Sequence, residues 1–251
     1  MEEKAAVVTG AGTGIGREVV LKLIGREMKV FAVGIDLEPL RELAKECEEK
    51  GATVVPVCID VADGAALKKA LSNTGPVSVV VANAGICKQA ALDDPNADQV
   101  WAEVMSVNVN GVWNTFRALY GSIEENGRAV VVSSGLGKLG RGGYGAYAAS
   151  KHAVLGLVKC FSRELAPRKI TVNAVCPGWV DTQMSRGDII RTAKELGSTP
   201  EQVRQDALAG IPLERFVQPE EVAALIEWLA SDNASAITGQ AYNISCGEFF
   251  A

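Results

Sequence analysis

Two side chains that can exchange a proton stand four residues apart in Tyr147-Ala-Ala-Ser-Lys151. A phenol has an unperturbed pKa near ~10, too high for a base near neutrality. A neighbouring ammonium favours the phenolate and lowers that value. On a helix, positions i and i+4 share a face, and the first turn adds a favourable field for negative charge. The pair therefore suits proton transfer at an oxygen, as hydride transfer to or from a carbonyl requires. Ser134, thirteen residues before Tyr147, offers a hydroxyl to hold the same oxygen. Taken singly, these residues also read as a solvated helix face and as polar punctuation after a strand. Tyr144 is a second tyrosine, but position 148 is Ala, so it lacks the lysine partner.

A second chemical signal lies near the start, in Thr9-Gly10-Ala11-Gly12-Thr13-Gly14-Ile15-Gly16. Glycine permits a sharp backbone turn and lets a phosphate approach without meeting a Cβ. Apolar residues precede the turn as a strand, and a helical pattern follows it. That helix would aim its free N–H groups and positive dipole end at the phosphate. The flanks favour a dinucleotide site over a plain tight turn.

Other chemistries are weakened by what is scarce. His152 is the only histidine, which removes His-based metal sites and argues against a Ser-His-Asp mechanism. The six cysteines, at 47, 58, 87, 160, 176 and 246, include no CxxC pair. Reduced thiols in a cytoplasmic protein are the expectation. The chain has 251 residues, 48% of them hydrophobic and 22% charged, with a net charge of −5. Disorder is excluded by that apolar share. No apolar run approaches the ~20 residues of a membrane span, and no basic cluster offers a nucleic-acid surface. The first residues carry no secretory pattern.

These residues must be held by elements that alternate along the chain. Apolar strand-like runs fall at 5–9, 29–33, 53–59, 77–82, 128–133, 170–175 and 241–244. Helical patterns fall at 14–25, 38–50, 63–72, 98–123 and 147–165. Strands alternating with helices predict a doubly wound α/β domain of the Rossmann type. Its seven-stranded parallel sheet carries helices on both faces, as the near-continuous Val/Ile/Ala strands require. One domain over 1–251 is expected. The polar segment 181–215 interrupts the alternation after the sixth strand and reads as a lid over a site. Within it, Ser198–Glu201 carries a helix-capping signal and Gly210 a stop.

In combination, the motifs resemble the short-chain dehydrogenase/reductase family over residues 5 to 247. They are the glycine turn, Asn83-Ala84-Gly85, Asn108 within Trp101–Gly111, Ser134, Tyr147/Lys151 and Asn173-Ala-Val-Cys-Pro177-Gly178. The resemblance implies that Tyr147 is the general acid/base and that Lys151 lowers its pKa and bonds the nicotinamide ribose. It implies that Ser134 orients the substrate oxygen and that Asn108 holds a water as a proton relay. Gly10, Gly12, Thr13, Gly14, Ile15, Gly16, Asn83, Ala84 and Gly85 would cradle the coenzyme. Asp60 and Val61 would contact adenine, and Pro177, Gly178, Val180 and Thr182 would flank the carboxamide. No metal is implied.

Asp36 lies twenty residues past Gly16, where an acid accepts from the adenine-ribose 2′-OH. Against the family pattern the NAD-selecting acid falls at Gly34 and the NADP-selecting Arg at Ile35, so Asp36 is displaced by two positions. Position 13 is Thr rather than a basic residue, and Arg17 reads as helix surface. NAD is therefore expected, ahead of NADP.

Candidate pocket residues are Gly85, Ile86, Cys87, Leu136, Arg141, Tyr144, Trp179, Met184 and the segment 185–210. Arg186, Arg191, Lys194 and Arg204 offer either attraction for an anionic substrate or a solvated face balanced by Asp188, Glu195 and Glu201. The expected function is NAD-dependent oxidation of a secondary alcohol. The alternative is an NADPH-dependent carbonyl or 3-oxoacyl thioester reductase, since 173–178 and Arg215-Phe-Val-Gln-Pro219 also resemble the polyketide and 3-oxoacyl ketoreductase branch. A dinucleotide sensor without turnover is the third reading, weakened by the complete Ser/Tyr/Lys/Asn set. The resemblance implies a homotetramer, with 98–123, 147–165 and 244–251 as candidate interfaces. Phe249 and Phe250 read as exposed unless covered.

Overall fold

The computed structural model describes residues 4–250. Residues 1–3 and 251, which the one-domain expectation and the 244–251 interface include, lie outside the described residues.

Short runs of Val, Ile and Ala pair as a seven-stranded parallel sheet. The strands are β1 (Ala5–Thr9), β2 (Lys29–Gly34), β3 (Val54–Cys58), β4 (Val77–Ala82), β5 (Ile123–Val132), β6 (Thr171–Pro177) and β7 (Ala241–Ile244), in the order β3-β2-β1-β4-β5-β6-β7. Both faces are buried because both are covered. Helices α1 (Gly14–Ile24), α2 (Leu37–Glu49) and α9 (Pro219–Leu229) pack through residues such as Val20, Leu43 and Ile226 on one face. On the other, α3 (Gly64–Ala70), α5 (Gly111–Leu119) and α6 (Gly145–Glu164) pack through Leu67, Phe116 and Val158. The doubly wound fold read from the alternation is the fold observed.

Three local expectations are corrected. The helix expected over 98–123 is two helices, α4 (Ala97–Met105) and α5, joined by a π-helical turn at Ser106–Asn110. Apolar periodicity runs through such a turn without announcing it, and π turns gather at functional sites. The fifth strand starts early: Ile123 pairs with Val77 before the ladder resumes at Arg128 opposite Val79. The intervening polar residues, with Asn126 at φ 61, masked the first pairing.

The segment 181–215 folds as α7 (Gln183–Leu196) and α8 (Pro200–Ala209). The cap of α8 is Thr199, whose hydroxyl accepts from Gln202 N at 3.2 Å, rather than Ser198. Proline suits the first helical position, which moves the cap to the residue before Pro200. Gly210 follows the end of α8 as expected. Ile189, Ile211 and Phe216 give the segment its own small core.

Candidate active site

The chain order reverses between β1 and β4, and a crevice opens at the carboxyl ends of strands at such a point. The glycine turn lies there. Gly10 (φ +65) and Gly14 (φ +53) hold left-handed backbone that side chains resist. A Cβ on Gly16 would stand 2.0 Å from the Gly10 carbonyl oxygen, so helix and strand meet backbone to backbone. Asn83 braces the turn from β4. Its Nδ2 donates to Thr9 O at 3.0 Å and Gly10 O at 3.1 Å, and the Thr9 hydroxyl accepts from Asn83 N and Ala84 N. Thr13 starts α1 without a side-chain cap, which leaves the first-turn amides open to a ligand. A turn too narrow for a Cβ beside uncapped amides fits a dinucleotide pyrophosphate. Gly12 packs against Pro39 and Gly14 faces Thr182, which ties the turn to α2 and to the start of α7.

One cavity of about 290 Å³ brings together Ser134 from the end of β5 and Tyr147 and Lys151 from α6. Of the predicted coenzyme residues, Ile15, Asn83, Gly85, Pro177, Gly178, Val180 and Thr182 line it. Of the predicted pocket residues, Cys87, Leu136, Arg141, Tyr144, Trp179 and Met184 line it as well, together with Ser185 and Asp188 of the segment 185–210, while Ile86 does not.

Lys151 is buried, and its Nζ donates to Val132 O at 2.9 Å while lying 5.7 Å from the Tyr147 ring centroid. Burial pushes its pKa down to about 8. The Tyr147 phenol is pushed above the ordinary tyrosine value, first by burial and then by Cys87, and the Ser134 hydrogen bond pulls the other way. Both groups are desolvated, so each is driven toward its neutral form.

Asn108 sits in the π turn rather than on the cavity wall. Its Oδ1 accepts from Ile86 N at 2.8 Å, and its Nδ2 donates to Ile86 O and Ser150 Oγ. It thereby ties the loop after β4 to α6. A Cβ on Gly85 would come within 3.3 Å of Asn108 Oδ1 and 3.4 Å of Lys151 Nζ, so the three converge.

Asp36 is exposed at the end of β2, ahead of α2, and its side chain does not cap that helix. Arg17 is engaged by Glu18 and Glu46. Asp60 is exposed and accepts from Ala62 N at 2.8 Å, while Asp63 caps α3. Val61 is buried against Gly111, so it offers an adenine ring only its backbone.

The basic residues of 185–210 do not face the cavity. Arg186 pairs with Asp181 at 3.0 Å, Arg191 pairs with Asp188, and Arg204 lies over the Phe216 ring. The solvated-face alternative describes Arg186 better than an anion site, whereas Arg191 is held against the buried Asp188. Arg141 does line the cavity, with its guanidinium 5.7 Å from the Tyr144 ring centroid and 5.6 Å from that of Trp179. Burial pushes the Cys87 thiol up to about 12, leaving it a poor nucleophile. His152 is exposed, with Nδ1 2.9 Å from Ala148 O.

Asp188, from the expected segment 185–210, lines the cavity, and Glu248 and Phe249 line it without having been anticipated there. Asp188 looked like a surface counter-charge because Arg186 and Arg191 stand close to it along the helix. Glu248 and Phe249 arrive from a terminal turn with no local periodicity. Phe249 is buried against Gly135, and Phe250 is exposed. Among the described residues, no group of His, Cys, Asp and Glu side chains could hold a metal ion.

The family model described as short chain dehydrogenase matches residues 4–190. A 3-oxoacyl-[acyl-carrier-protein] reductase of Thermotoga maritima is 38% identical over 98% of each chain. A variant of the actinorhodin polyketide ketoreductase, solved with NADPH, superposes with a TM-score of 0.90 at 33% identity, over 98% of this chain and 97% of that one. A 3-oxoacyl-[acyl-carrier protein] reductase from Brucella melitensis, solved with bound NAD, has a TM-score of 0.85 at 32% identity, over 99% and 92%.

Proposed function

The chain belongs to the short-chain dehydrogenase family, an oxidoreductase acting between ketone and alcohol groups, and on that premise we propose that it reduces 3-oxoacyl thioesters with NADH. When bound, the nicotinamide supplies hydride to the carbonyl carbon. The Ser134 hydroxyl donates a hydrogen bond to the carbonyl oxygen and fixes its position. The Tyr147 phenol gives that oxygen its proton as negative charge develops there. The Lys151 ammonium, on the same helix face, offsets the phenolate that remains. Asn108 keeps the loop at Gly85 in register with α6, and α7–α8 serve as the lid.

The observation that carries the reductive direction is the chain's likeness to proteins named as reductases, at 38% and 33% identity over nearly the whole length. Burial pushes the Tyr147 phenol toward its protonated form, which suits it to give a proton in that direction. Reduction, the alternative in the sequence reading, therefore replaces alcohol oxidation here.

The two solved neighbours carry different nicotinamides, so the coenzyme preference rests on this chain's own residues. Asp36 presents an exposed carboxylate, position 13 is Thr, and Arg17 is already paired. A carboxylate accepts from a ribose 2′-OH and repels a 2′-phosphate. These features favour NADH.

No helix among the described residues is long and apolar enough to cross a membrane. The six cysteines are free, which suits the cytoplasm. Trp101, Trp113 and Tyr120 are exposed on and beside α4 and α5, and we assign that face to assembly as a homotetramer. The test is absorbance at 340 nm with NADH and NADPH against 3-oxoacyl thioesters and simple ketones. Faster turnover of the thioesters with NADH is expected. Preference for an unactivated ketone would refute the substrate class, and preference for NADPH would refute the coenzyme.

A further inference from the structure

A buried carboxylate joins three elements at the side of the cavity. Asp188 of α7 is only 7% exposed in its side chain, yet nothing in hydride transfer asks for it. Its Oδ2 accepts from the Tyr144 hydroxyl at 2.5 Å, at the residue preceding α6. Its Oδ1 accepts from Gln89 Nε2 at 2.8 Å, on the loop after β4. Arg191, one turn further along α7, pairs with the same oxygen. Gln89 Nε2 also donates to the Tyr144 hydroxyl, which closes the triangle.

A carboxylate is costly to bury unless it is paired and hydrogen-bonded, and this one is satisfied from three sides. Two of those sides lie outside its own helix. Tyr144 stands three residues before Tyr147, and Gln89 stands four residues after Gly85. The carboxylate therefore fastens the lid to the two backbone segments that carry the proton donor and the floor of the site. Hydrogen bonds to a charged partner are short and roughly twice as strong as neutral ones, so the fastening is specific.

We infer that Asp188 is a positioning residue that latches α7 over the reactive centre through Tyr144 and Gln89, setting how tightly a bound acyl substrate is enclosed. The inference rests on the reductase reading for its kinetic arm only. The experiment compares the full-length wild type with Asp188→Asn, Tyr144→Phe and the double variant, using acetoacetyl-coenzyme A and NADH. Each single variant is expected to raise KM about tenfold with kcat falling by less than about threefold. The double variant should be no worse than the poorer single, because the two residues share one contact.

Amide exchange provides the second arm and needs no substrate. Exchange across 183–196 should quicken in both single variants, while 150–164 stays protected. Unchanged exchange in the lid would overturn the latch, as would fully additive effects on KM. A wild type that ignores every 3-oxoacyl thioester would overturn the reductase reading instead, and the exchange arm would still decide the latch.

Discussion

At the residue scale, burial governs the chemistry of the site. Lys151 is pushed down to about 8 from an ordinary 10.5, so between those values the folded chain binds fewer protons than the unfolded one. Its contribution to stability therefore rises with pH across that window, and below it the buried ammonium is a cost. Lys151→Met should be more stable than wild type near pH 7, and that advantage should shrink as pH rises from 8 towards 10. The pH-dependent part is at most about 3 kcal/mol, read from denaturant midpoints. A difference that stays flat with pH would mean the ammonium is solvated. The free carboxylate of Asp36 carries a second prediction. Asp36→Ala should weaken NADH binding about tenfold and leave NADPH binding unchanged or stronger, by nucleotide fluorescence titration. An unaltered ratio of the two affinities removes Asp36 from coenzyme choice.

At the element scale, the glycine turn depends on a neighbour that is remote in sequence. Asn83→Ala strips Thr9 O and Gly10 O of their shared donor. The expected cost is about 1–3 kcal/mol of stability together with weaker coenzyme binding. Lost stability with intact affinity would show that the turn holds its shape unaided. The strand–turn–helix pattern was legible because Gly10 to Gly16 sit between two strongly periodic runs. Ser134, Tyr147 and Lys151 were legible for a similar reason, since a short spacing on one helix and one strand end brings them together. The π turn was not, because one extra residue per turn leaves no trace in composition. The burial of Asp188 was not legible because its partners Tyr144 and Gln89 lie 44 and 99 residues away. Desolvation at Tyr147 was not legible for the same reason, as it belongs to the packed site and not to the motif.

At the scale of the whole molecule, the sheet fixes the site and the helices leave a surface unspent. Trp113 is 47% exposed although its ring also meets Phe161 at 5.9 Å. Exposed aromatics on adjacent helices are the kind of patch that oligomers cover. On the proposed tetramer, the wild type should scatter light as four copies and Trp113→Glu as fewer, with the far-ultraviolet dichroism kept; a monomeric wild type would refute the assembly. A variant that stays tetrameric would move the interface elsewhere. The terminal turn contributes inward as well, since Phe249 packs on Gly135 beside Ser134.

All three scales converge on the hydroxyl of Tyr147, and its removal is the most direct test. Tyr147→Phe, assayed at 340 nm with NADH and a 3-oxoacyl thioester, should lose about a thousandfold in kcat while keeping NADH affinity within about threefold. A variant that retained a tenth or more of wild-type turnover would contradict the assignment of this phenol as the proton donor.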